Sequence, residues 1–440
     1  VPSTFPSLLS KVRELLETDK RKEVLRCCRN VLDFVLAKEG NFEFCSEFLS
    51  AEVAAGLNKK TTESILKLHK QARKDLESCD AISLARLVDM LVSTGYYEQA
   101  TEIAATIESK INETDDKAFI YRSLGSLYQR MGEYDLAAKF YFKYLAILEN
   151  VLSPDQTNLA ESYKYLSFLY ENWGDYKRAE EFSLKRLAIL EKVLSPDHPN
   201  LAELYNNLGN LYRIKGEYKH AEEFYLKCLA IQEKVLSPVH PDLAASYMNL
   251  GILYSEKVNY ERAEVFYLKC LAINKKVLSP VHPDLAASYD NLGILYQSKG
   301  DYERAEEFYL KCLAIREEVF SPDHPHLAAS YGNLGWLYQS KGDYERAEEF
   351  YLKCLAIREK ALNPDHPYLA TYYNNLGILC KDKGDYERAE EFYLKCLAIQ
   401  EKVLSPVHPD LAASYMNLGI LYSEKVNYER AEVFYLKCLA

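Results

Sequence analysis

Six histidines recur at one position of a 42-residue period, and each is followed directly by a proline. Imidazole suits acid–base catalysis near neutral pH and metal binding. Both roles need a second reactive or ligating group close by, whereas these histidines stand where proline can open a helix. The spacing therefore predicts that they begin helices and pack the links between repeats: His198, His240, His282, His324, His366 and His408.

Eleven cysteines are present, and six of them share another repeat position: Cys228, Cys270, Cys312, Cys354, Cys396 and Cys438. Zinc sites pair cysteines a few residues apart, which thiols separated by a whole repeat do not do. Earlier repeats carry Tyr144 and Arg186 at this position, so a shared ligand role is excluded. We expect buried, free thiols in a reducing cytoplasmic setting, without a metal or a cofactor.

Acidic pairs such as Glu306–Glu307 lie among basic residues, and Glu307 is three residues from Arg304 and four from Lys311. On a helix this spacing makes solvated surface ion pairs. The sequence contains no glycine-rich phosphate loop, nucleophile elbow or HExxH motif. We therefore predict no catalytic residue, and a protein that is not an enzyme.

The elements that carry these residues come from one stretch, Ser279–Phe320, with close copies every 42 residues in both directions. Two apolar runs with helical spacing span 282–299 and 302–319. Gly300 can end the first helix and Asp301 can cap the second. Neither helix could bury its apolar stripe alone, so the sequence predicts stacked hairpins, each with a first and a second helix.

Small residues recur within the unit and predict a close approach of the two helices. Leu292-Gly293, Tyr296 and Ala305 resemble the pattern of the tetratricopeptide repeat, and the 42-residue length is most similar to kinesin light chain and nephrocystin-type repeats. The resemblance implies an all-α, right-handed α-solenoid (superhelix) of antiparallel helix hairpins. The glycine position holds Gly125, Gly209, Gly251, Gly293, Gly335, Gly377 and Gly419, and Ser167 replaces it once.

The chain divides by sequence into three regions. Residues 1–80 lie outside the period and predict an N-terminal helical cap or adaptor region. Residues 81–116 form a degenerate repeat, with Val88 at the glycine position, and 117–440 hold eight units, the last truncated. We expect the native chain to continue past this unit, which could self-associate through its uncovered face. Residues 221–272 and 389–440 are identical.

An asparagine occupies one position of every first helix from the third regular unit onward. The resemblance implies that this position faces the concave groove of the solenoid. An amide can pair with the backbone of an extended peptide, or it can bond to the adjacent helix and order the stack; the sequence leaves both readings open. The ladder comprises Asn207, Asn249, Asn291, Asn333, Asn375 and Asn417.

Neighbouring groove positions vary between repeats, as partner specificity requires. Trp336 is the large aromatic residue among them, and exposed tryptophan is enriched at binding hot spots. The set includes Asn210, Arg213, Trp336 and Lys381, and also Asn206, Ile252, Asp290, Ile294, Gln297, Gln339, Asn374 and Ile378. The Lys-and-Asn carboxylate clamp of chaperone-binding relatives is not present as a set, nor are obvious basic residues for acidic cargo motifs.

Net charge is −11, which disfavours nucleic acid as a partner, and no apolar run approaches the length of a membrane span. We predict a cytoplasmic, non-catalytic scaffold or adaptor that binds a protein or an extended peptide, as kinesin light chains do. The alternative is a sensor or autoinhibitory array of a larger signalling ATPase of the STAND type.

Overall fold

A computed structural model describes residues 65–66, 68–70, 72–73, 79–111, 116–151, 157–405 and 408–439. The predicted cap, residues 1–80, lies almost wholly outside them. The helices are α1 (Ala81–Ser93), α2 (Tyr97–Lys110), α3 (Lys117–Arg130), α4 (Tyr134–Val151), α5 (Thr157–Trp173), α6 (Tyr176–Val193), α7 (Pro199–Ile214), α8 (Tyr218–Val235), α9 (Pro241–Glu256), α10 (Tyr260–Val277), α11 (Pro283–Ser298), α12 (Tyr302–Val319), α13 (Pro325–Ser340), α14 (Tyr344–Ala361), α15 (Pro367–Asp382), α16 (Tyr386–Val403), α17 (Pro409–Glu424) and α18 (Tyr428–Leu439).

The chain divides into two compact units, Val1–Lys215 and Gly216–Ala440. In each unit, consecutive helices pack as hairpins, and the second helix of one hairpin packs against the first helix of the next. The described residues contain no β-strand. The predicted all-α solenoid of antiparallel helix hairpins is therefore confirmed, and its apolar core runs along the stack between hairpins.

Histidine begins the first helices, as predicted. The Nδ1 atom of His282 accepts a hydrogen bond from the backbone N–H of Asp284 at 3.1 Å, and Pro283 occupies the first turn. This bond satisfies one of the N–H groups that a helix start leaves without an intrahelical partner. The same cap, at 3.1–3.2 Å, forms at His198, His240, His324, His366 and His408.

The turn between the two helices of a hairpin also matches the prediction. Gly300 has a φ of +76°, and the Asp301 carboxylate accepts from the backbone N–H of Arg304 at 3.2 Å. In the duplicated segments valine stands in the glycine position, with φ values of 58° at Val258 and 57° at Val426. A β-branched residue rarely adopts this left-handed conformation, so these two turns are strained.

The mid-helix glycine allows the second helix of the hairpin to approach closely, and the side chain that contacts it is a tyrosine ring. A Cβ atom added to Gly293 would lie 2.5 Å from ring carbons of Tyr309, so the ring leaves no room for a side chain. The Tyr309 hydroxyl donates to Gln297 Oε1 at 2.8 Å. The same packing joins Gly125–Tyr141, Gly251–Tyr267, Gly335–Tyr351, Gly377–Tyr393 and Gly419–Tyr435.

Two hairpins lack the glycine, and both also lack the tyrosine. Ser167 replaces the glycine of α5, and Ser183 replaces the tyrosine of α6; their hydroxyl oxygens lie 2.6 Å apart in the core. In the degenerate repeat, Val88 stands at the glycine position and Ala104 at the tyrosine position, and both are fully buried. The larger first-helix residue is thus matched by a smaller second-helix residue.

The repeated cysteines pack between hairpins. Five of the six are buried, and Cys438 is half-buried. Four Sγ atoms lie 3.4–3.8 Å from a serine hydroxyl of the next first helix: Cys228–Ser246, Cys270–Ser288, Cys312–Ser330 and Cys396–Ser414. Burial raises the pKa of the Cys270 thiol to about 11, so this residue acts as a small apolar group rather than as a thiolate.

Candidate peptide-binding face

Successive first helices of the second unit form what we call the first-helix face: α9 contacts α11, and side-chain hydrogen bonds join α11 to α13, α13 to α15 and α15 to α17. One position per helix makes an apolar row along it: Ile252, Ile294, Trp336, Ile378 and Ile420. Trp336 is 53% exposed and Ile294 is 40% exposed. The face therefore offers apolar contact area on neighbouring helices.

Five asparagines of the ladder, Asn249, Asn291, Asn333, Asn375 and Asn417, lie on the helices of this face, and their amides are half-buried rather than enclosed. Asn333 Nδ2 donates to Asp290 Oδ1 at 3.0 Å, and Asn417 Nδ2 donates to Asn374 Oδ1 at 2.9 Å. Each of these bonds connects the first helices of consecutive repeats. At these two positions the amide orders the stack, which was one of the two roles left open by the sequence.

The amide takes another partner where the preceding repeat offers no acceptor. The residue 43 positions before Asn291 is Met248, and Asn291 Nδ2 bonds instead to the carbonyl of Ala287 in its own helix at 2.9 Å. The residue 43 positions before Asn375 is Gly332. Asn375 makes no side-chain hydrogen bond to a described residue, so its half-buried amide keeps its capacity for a ligand.

Two charge pairs lie at the face, whereas Arg358 has no carboxylate partner among the described residues: its Nη2 donates to the Pro325 carbonyl at 3.4 Å, and its buried Nε has no hydrogen-bond partner. Arg316 Nη2 lies 2.9 Å from Asp290 Oδ2, and its Nη1 donates to Ser330 Oγ at 2.8 Å. The Arg316 side chain is 9% exposed, so this ion pair belongs to the floor of the face rather than to its surface. Lys381 Nζ lies 3.6 Å from Asp382 Oδ1.

Gln297 was expected to face the groove, and this expectation is wrong. Its side chain is buried and accepts from the Tyr309 hydroxyl, so it supports the hairpin core. Gln339 is half-buried and bonds both within its hairpin and to the next first helix. Its Oε1 accepts from the Tyr351 hydroxyl at 3.0 Å, and its Nε2 donates to Asp382 at 3.4 Å.

Three predicted site residues lie in the first unit. Asn207, Asn210 and Arg213 are half-buried on α7. The same unit holds a cavity of about 300 Å³ lined by Lys164, Arg186, Glu161, Glu203, Asn158, Asn200, Ala160 and Leu190. Lys164 Nζ lies 2.7 Å from Glu203 Oε1. The two cations that line this cavity equal its two carboxylates in number, so the lining carries no net charge.

A carboxylate cluster that was not predicted from the sequence joins consecutive hairpins. Glu264 of α10 accepts from the Tyr296 hydroxyl and from Lys299 Nζ of the next repeat, both at 2.6 Å. The Arg304 guanidinium lies 4.2 Å from the centre of the Tyr296 ring. The period-42 recurrence of Glu, Tyr and Lys was the signal for the equivalent clusters at Glu180, Glu222, Glu306 and Glu390.

Glu306, predicted to be a solvated surface residue, is the central carboxylate of one of these equivalent clusters. It accepts from the Tyr338 hydroxyl at 2.7 Å and from Lys341. Its neighbour Glu307 does form the predicted exposed pair with Lys311. Burial alone would raise the pKa of Glu306, but the bonds from Lys341 and Tyr338 outweigh it and hold that pKa below its usual value.

Within the described part of the chain, no group of three or more His, Cys, Asp or Glu side chains is placed to hold a metal ion. Among the helices of those same residues, none combines the length and the apolar character needed to cross a membrane.

The chain is similar to known proteins through its repeats. A search of curated proteins finds no match. The repeats of a protein described as a kinesin light chain from Podosopora anserina are 29% identical, with 47% of this chain and 97% of that chain covered and a TM-score of 0.43. The apo form of RapI is 16% identical, with coverages of 82% and 96% and a TM-score of 0.58.

The third similar structure is a Signal Transduction ATPase with Numerous Domains (STAND) protein with a tetratricopeptide repeat sensor from Pyrococcus horikoshii. It is 17% identical, with 88% of this chain and 55% of that chain covered and a TM-score of 0.54. The Tetratricopeptide repeat family profile matches residues 116–192, 174–234, 200–276, 242–318, 284–360, 338–402 and 368–440. The chain therefore belongs to the tetratricopeptide repeat family.

Proposed function

We propose that the chain is a non-catalytic protein-interaction scaffold and that the first-helix face of the second unit takes an extended peptide segment of a partner. The observation that carries this proposal is the apolar row that includes Trp336, exposed on neighbouring first helices beside half-buried amides. Aromatic side chains supply most of the binding energy of many protein interfaces, and amides fix the register of a peptide backbone.

The charge of the face bears on the class of partner. Asp290 is paired with Arg316 and Lys381 with Asp382, whereas Arg358 makes no ion pair with a described residue. The apolar row favours a segment with apolar side chains, and Arg358 leaves a cation for one acidic residue beside them.

A cytoplasmic setting is part of the proposal, supported by the free and mostly buried thiols of the described cysteines. The sensor or autoinhibitory array of a larger signalling ATPase stays the alternative prediction. A nucleotide-binding domain in the same open reading frame would favour that alternative. Self-association through the last hairpin is likewise still a prediction, which sedimentation of the purified chain would test.

Binding can be tested with peptides selected from a random twelve-residue display library by the full chain. Trp336→Ala should weaken the selected peptides by about 2 kcal/mol, because it removes the largest exposed side chain of the face. Isothermal titration calorimetry gives the affinity, and circular dichroism confirms that the variant stays folded.

The control is Glu307→Ala, on the exposed side of α12, which should bind as the wild type does. Asn333→Ala is a poor probe of the face, because it also removes a hydrogen bond between repeats to Asp290. Peptides that bind equally well to the Trp336→Ala variant would place the binding surface elsewhere.

A further inference from the structure

One arginine of the second unit lacks the acidic partner that the preceding repeat provides. In that preceding repeat, Arg316 Nη2 of α12 lies 2.9 Å from the Asp290 carboxylate of α11, across a spacing of 26 residues. One period later the arginine recurs as Arg358 of α14, but Gly332 of α13 stands in the place of the aspartate. Arg358 makes no ion pair with a described residue, and its buried Nε atom has no hydrogen-bond partner.

Charge is balanced at these two positions elsewhere in the second unit. The other pairs that the unit provides carry no net charge: Met248–Asn274, Asp290–Arg316 and Asn374–Gln400. A half-buried cation without a counterion destabilises a fold. Gly332 adds to this cost, because glycine inside a helix is less stable than alanine. A pair of residues that costs stability in both members is typical of a functional position.

Two donors converge on the carboxylate of the preceding repeat, and both of them recur one period later. Asp290 accepts from Arg316 Nη2 at 2.9 Å through one oxygen and from Asn333 Nδ2 at 3.0 Å through the other. Their counterparts are Arg358 and Asn375. Neither of these two side chains bonds to a carboxylate of a described residue, so the donors for a carboxylate are present without the acceptor.

The space for that acceptor lies at Gly332. A Cβ atom added there would meet Cys354 Sγ at 3.6 Å and a Tyr372 ring carbon at 3.9 Å, which are ordinary contacts, so packing does not require the glycine. The Arg358 guanidinium carbon lies 5.9 Å from the centre of the same tyrosine ring. Its Nη2 atom donates to the Pro325 carbonyl at 3.4 Å, which is long for a bond from a charged donor and leaves a better acceptor to be found.

We infer that Arg358 and the Asn375 amide form a subsite at Gly332 for the carboxylate of one aspartate or glutamate side chain of a bound peptide, in the place that Asp290 fills in the preceding repeat. The inference rests on the proposed function and specifies its ligand. A guanidinium and an amide together offer a donor to each carboxylate oxygen. Trp336, one helical turn along α13 from Gly332, is exposed to receive an apolar neighbour of the acidic residue.

The experiment uses the full chain and peptides from the display selection, synthesised with acetylated and amidated ends so that their only carboxylates are side chains. The selected peptides should share an acidic residue. Replacing it by the matching amide, Asp by Asn or Glu by Gln, should weaken binding about tenfold or more in calorimetry, because a charged partner of Arg358 is lost.

Arg358→Met tests the protein side of the same contact. It should weaken binding of the acidic peptide about tenfold or more, and the amide peptide should bind this variant hardly less well, because both changes remove one ion pair. The melting temperature should stay at the wild-type value, since methionine keeps the apolar stem. Lys353→Met, which removes an exposed cation of α14, is the control and should bind as the wild type does.

Gly332→Asp supplies the acid from the chain itself. The new carboxylate should pair with Arg358 as Asp290 pairs with Arg316, so the melting temperature should rise. The acidic peptide should then bind about tenfold or more weakly, because its carboxylate competes with one held in the protein. Gly332→Ala should retain the preference for the acidic peptide over its amide, since alanine brings no acceptor.

The outcomes separate this subsite from the proposed function. Equal affinity for the acidic peptide and its amide, or wild-type affinity of Arg358→Met, would overturn the subsite, and lost binding of Trp336→Ala would then leave the peptide-binding face intact. A lower melting temperature of Gly332→Asp would show that Arg358 does not accept a carboxylate there, which also overturns the inference. If the full chain selects no peptide, the proposed function fails and the subsite fails with it.

Discussion

At the scale of single residues, the hairpins depend on a match between two positions sixteen residues apart. Gly293 is required because the Tyr309 ring lies against its backbone, and Ser167 is allowed because Ser183 replaces the ring. Protein interiors are packed so densely that one extra carbon atom changes the stability of the fold. The effect of a substitution at one residue of such a pair therefore depends on the other residue.

Gly293→Ser should therefore destabilise the chain by about 1–3 kcal/mol, because the added Cβ overlaps the Tyr309 ring. In a Tyr309→Ser background the same change should be neutral or stabilising, since it recreates the hydroxyl pair seen at Ser167 and Ser183. Denaturation midpoints of the four proteins measure this coupling. Equal losses in both backgrounds would show that the ring is not what excludes a side chain.

At the scale of helices, the carboxylate clusters fasten each second helix to the following hairpin. Lys299 and Tyr296 both donate to Glu264, and bonds to an ionised acceptor are stronger than neutral ones. Burial opposes the charged form of Glu264, but these bonds outweigh burial and lower its pKa. The pKa values of Glu222, Glu306 and Glu390 are lowered by equivalent lysine and tyrosine partners, and Lys383 and Arg388 outweigh burial and lower the pKa of Glu348.

The sign of this shift predicts acid sensitivity. A carboxylate whose pKa is lower in the folded state stabilises the fold above its unfolded pKa and loses this contribution as the pH falls. The thermal midpoint should therefore hold from neutral pH down to about pH 5 and fall as the pH is lowered further, through the folded-state pKa of these carboxylates, which lies below 4.5. Glu264→Gln should cost about 1–2 kcal/mol at pH 7 and make the drop smaller.

Exposed Glu318→Gln is the matched control for this pH series and should follow the wild-type curve. A Glu264→Gln variant with the wild-type acid sensitivity would show that the clusters do not carry the effect.

The helices could be predicted from the sequence because their signals are local. Proline after His282, Gly300 and Asp301 fix helix ends within a few residues, and the period supplies the stacking. The clusters and amide links were not predicted, because Glu264 meets Lys299, and Asn333 meets Asp290, only across the contact between repeats. Periodicity shows that a residue recurs but does not show which neighbour it touches.

At the scale of the whole molecule, hairpins in each unit contact chiefly their neighbours. Removing one period, Ser279–Phe320, would bring Tyr338 and Lys341 to Glu264 in place of Tyr296 and Lys299. The shortened chain should keep its helicity per residue and melt at a lower temperature, because it has lost one interface between hairpins. Circular dichroism during thermal unfolding measures both quantities.

Deleting only residues 279–299 is the control for this experiment. This deletion removes α11 and leaves α12 without its hairpin partner. It should cost helicity beyond the deleted residues. A one-period deletion that unfolds the second unit would show that its hairpins form a single cooperative domain.

The glycine–tyrosine match also restricts how such an array can diverge over time. A first substitution at Gly293 meets the ring, whereas a first substitution at Tyr309 leaves a cavity that a later serine at position 293 could fill. Either change made alone destabilises the hairpin, so the two positions are constrained to change together. Repeats that begin as copies, such as residues 221–272 and 389–440, would therefore keep both residues or exchange both, and the Ser167–Ser183 hairpin carries both replacements at once.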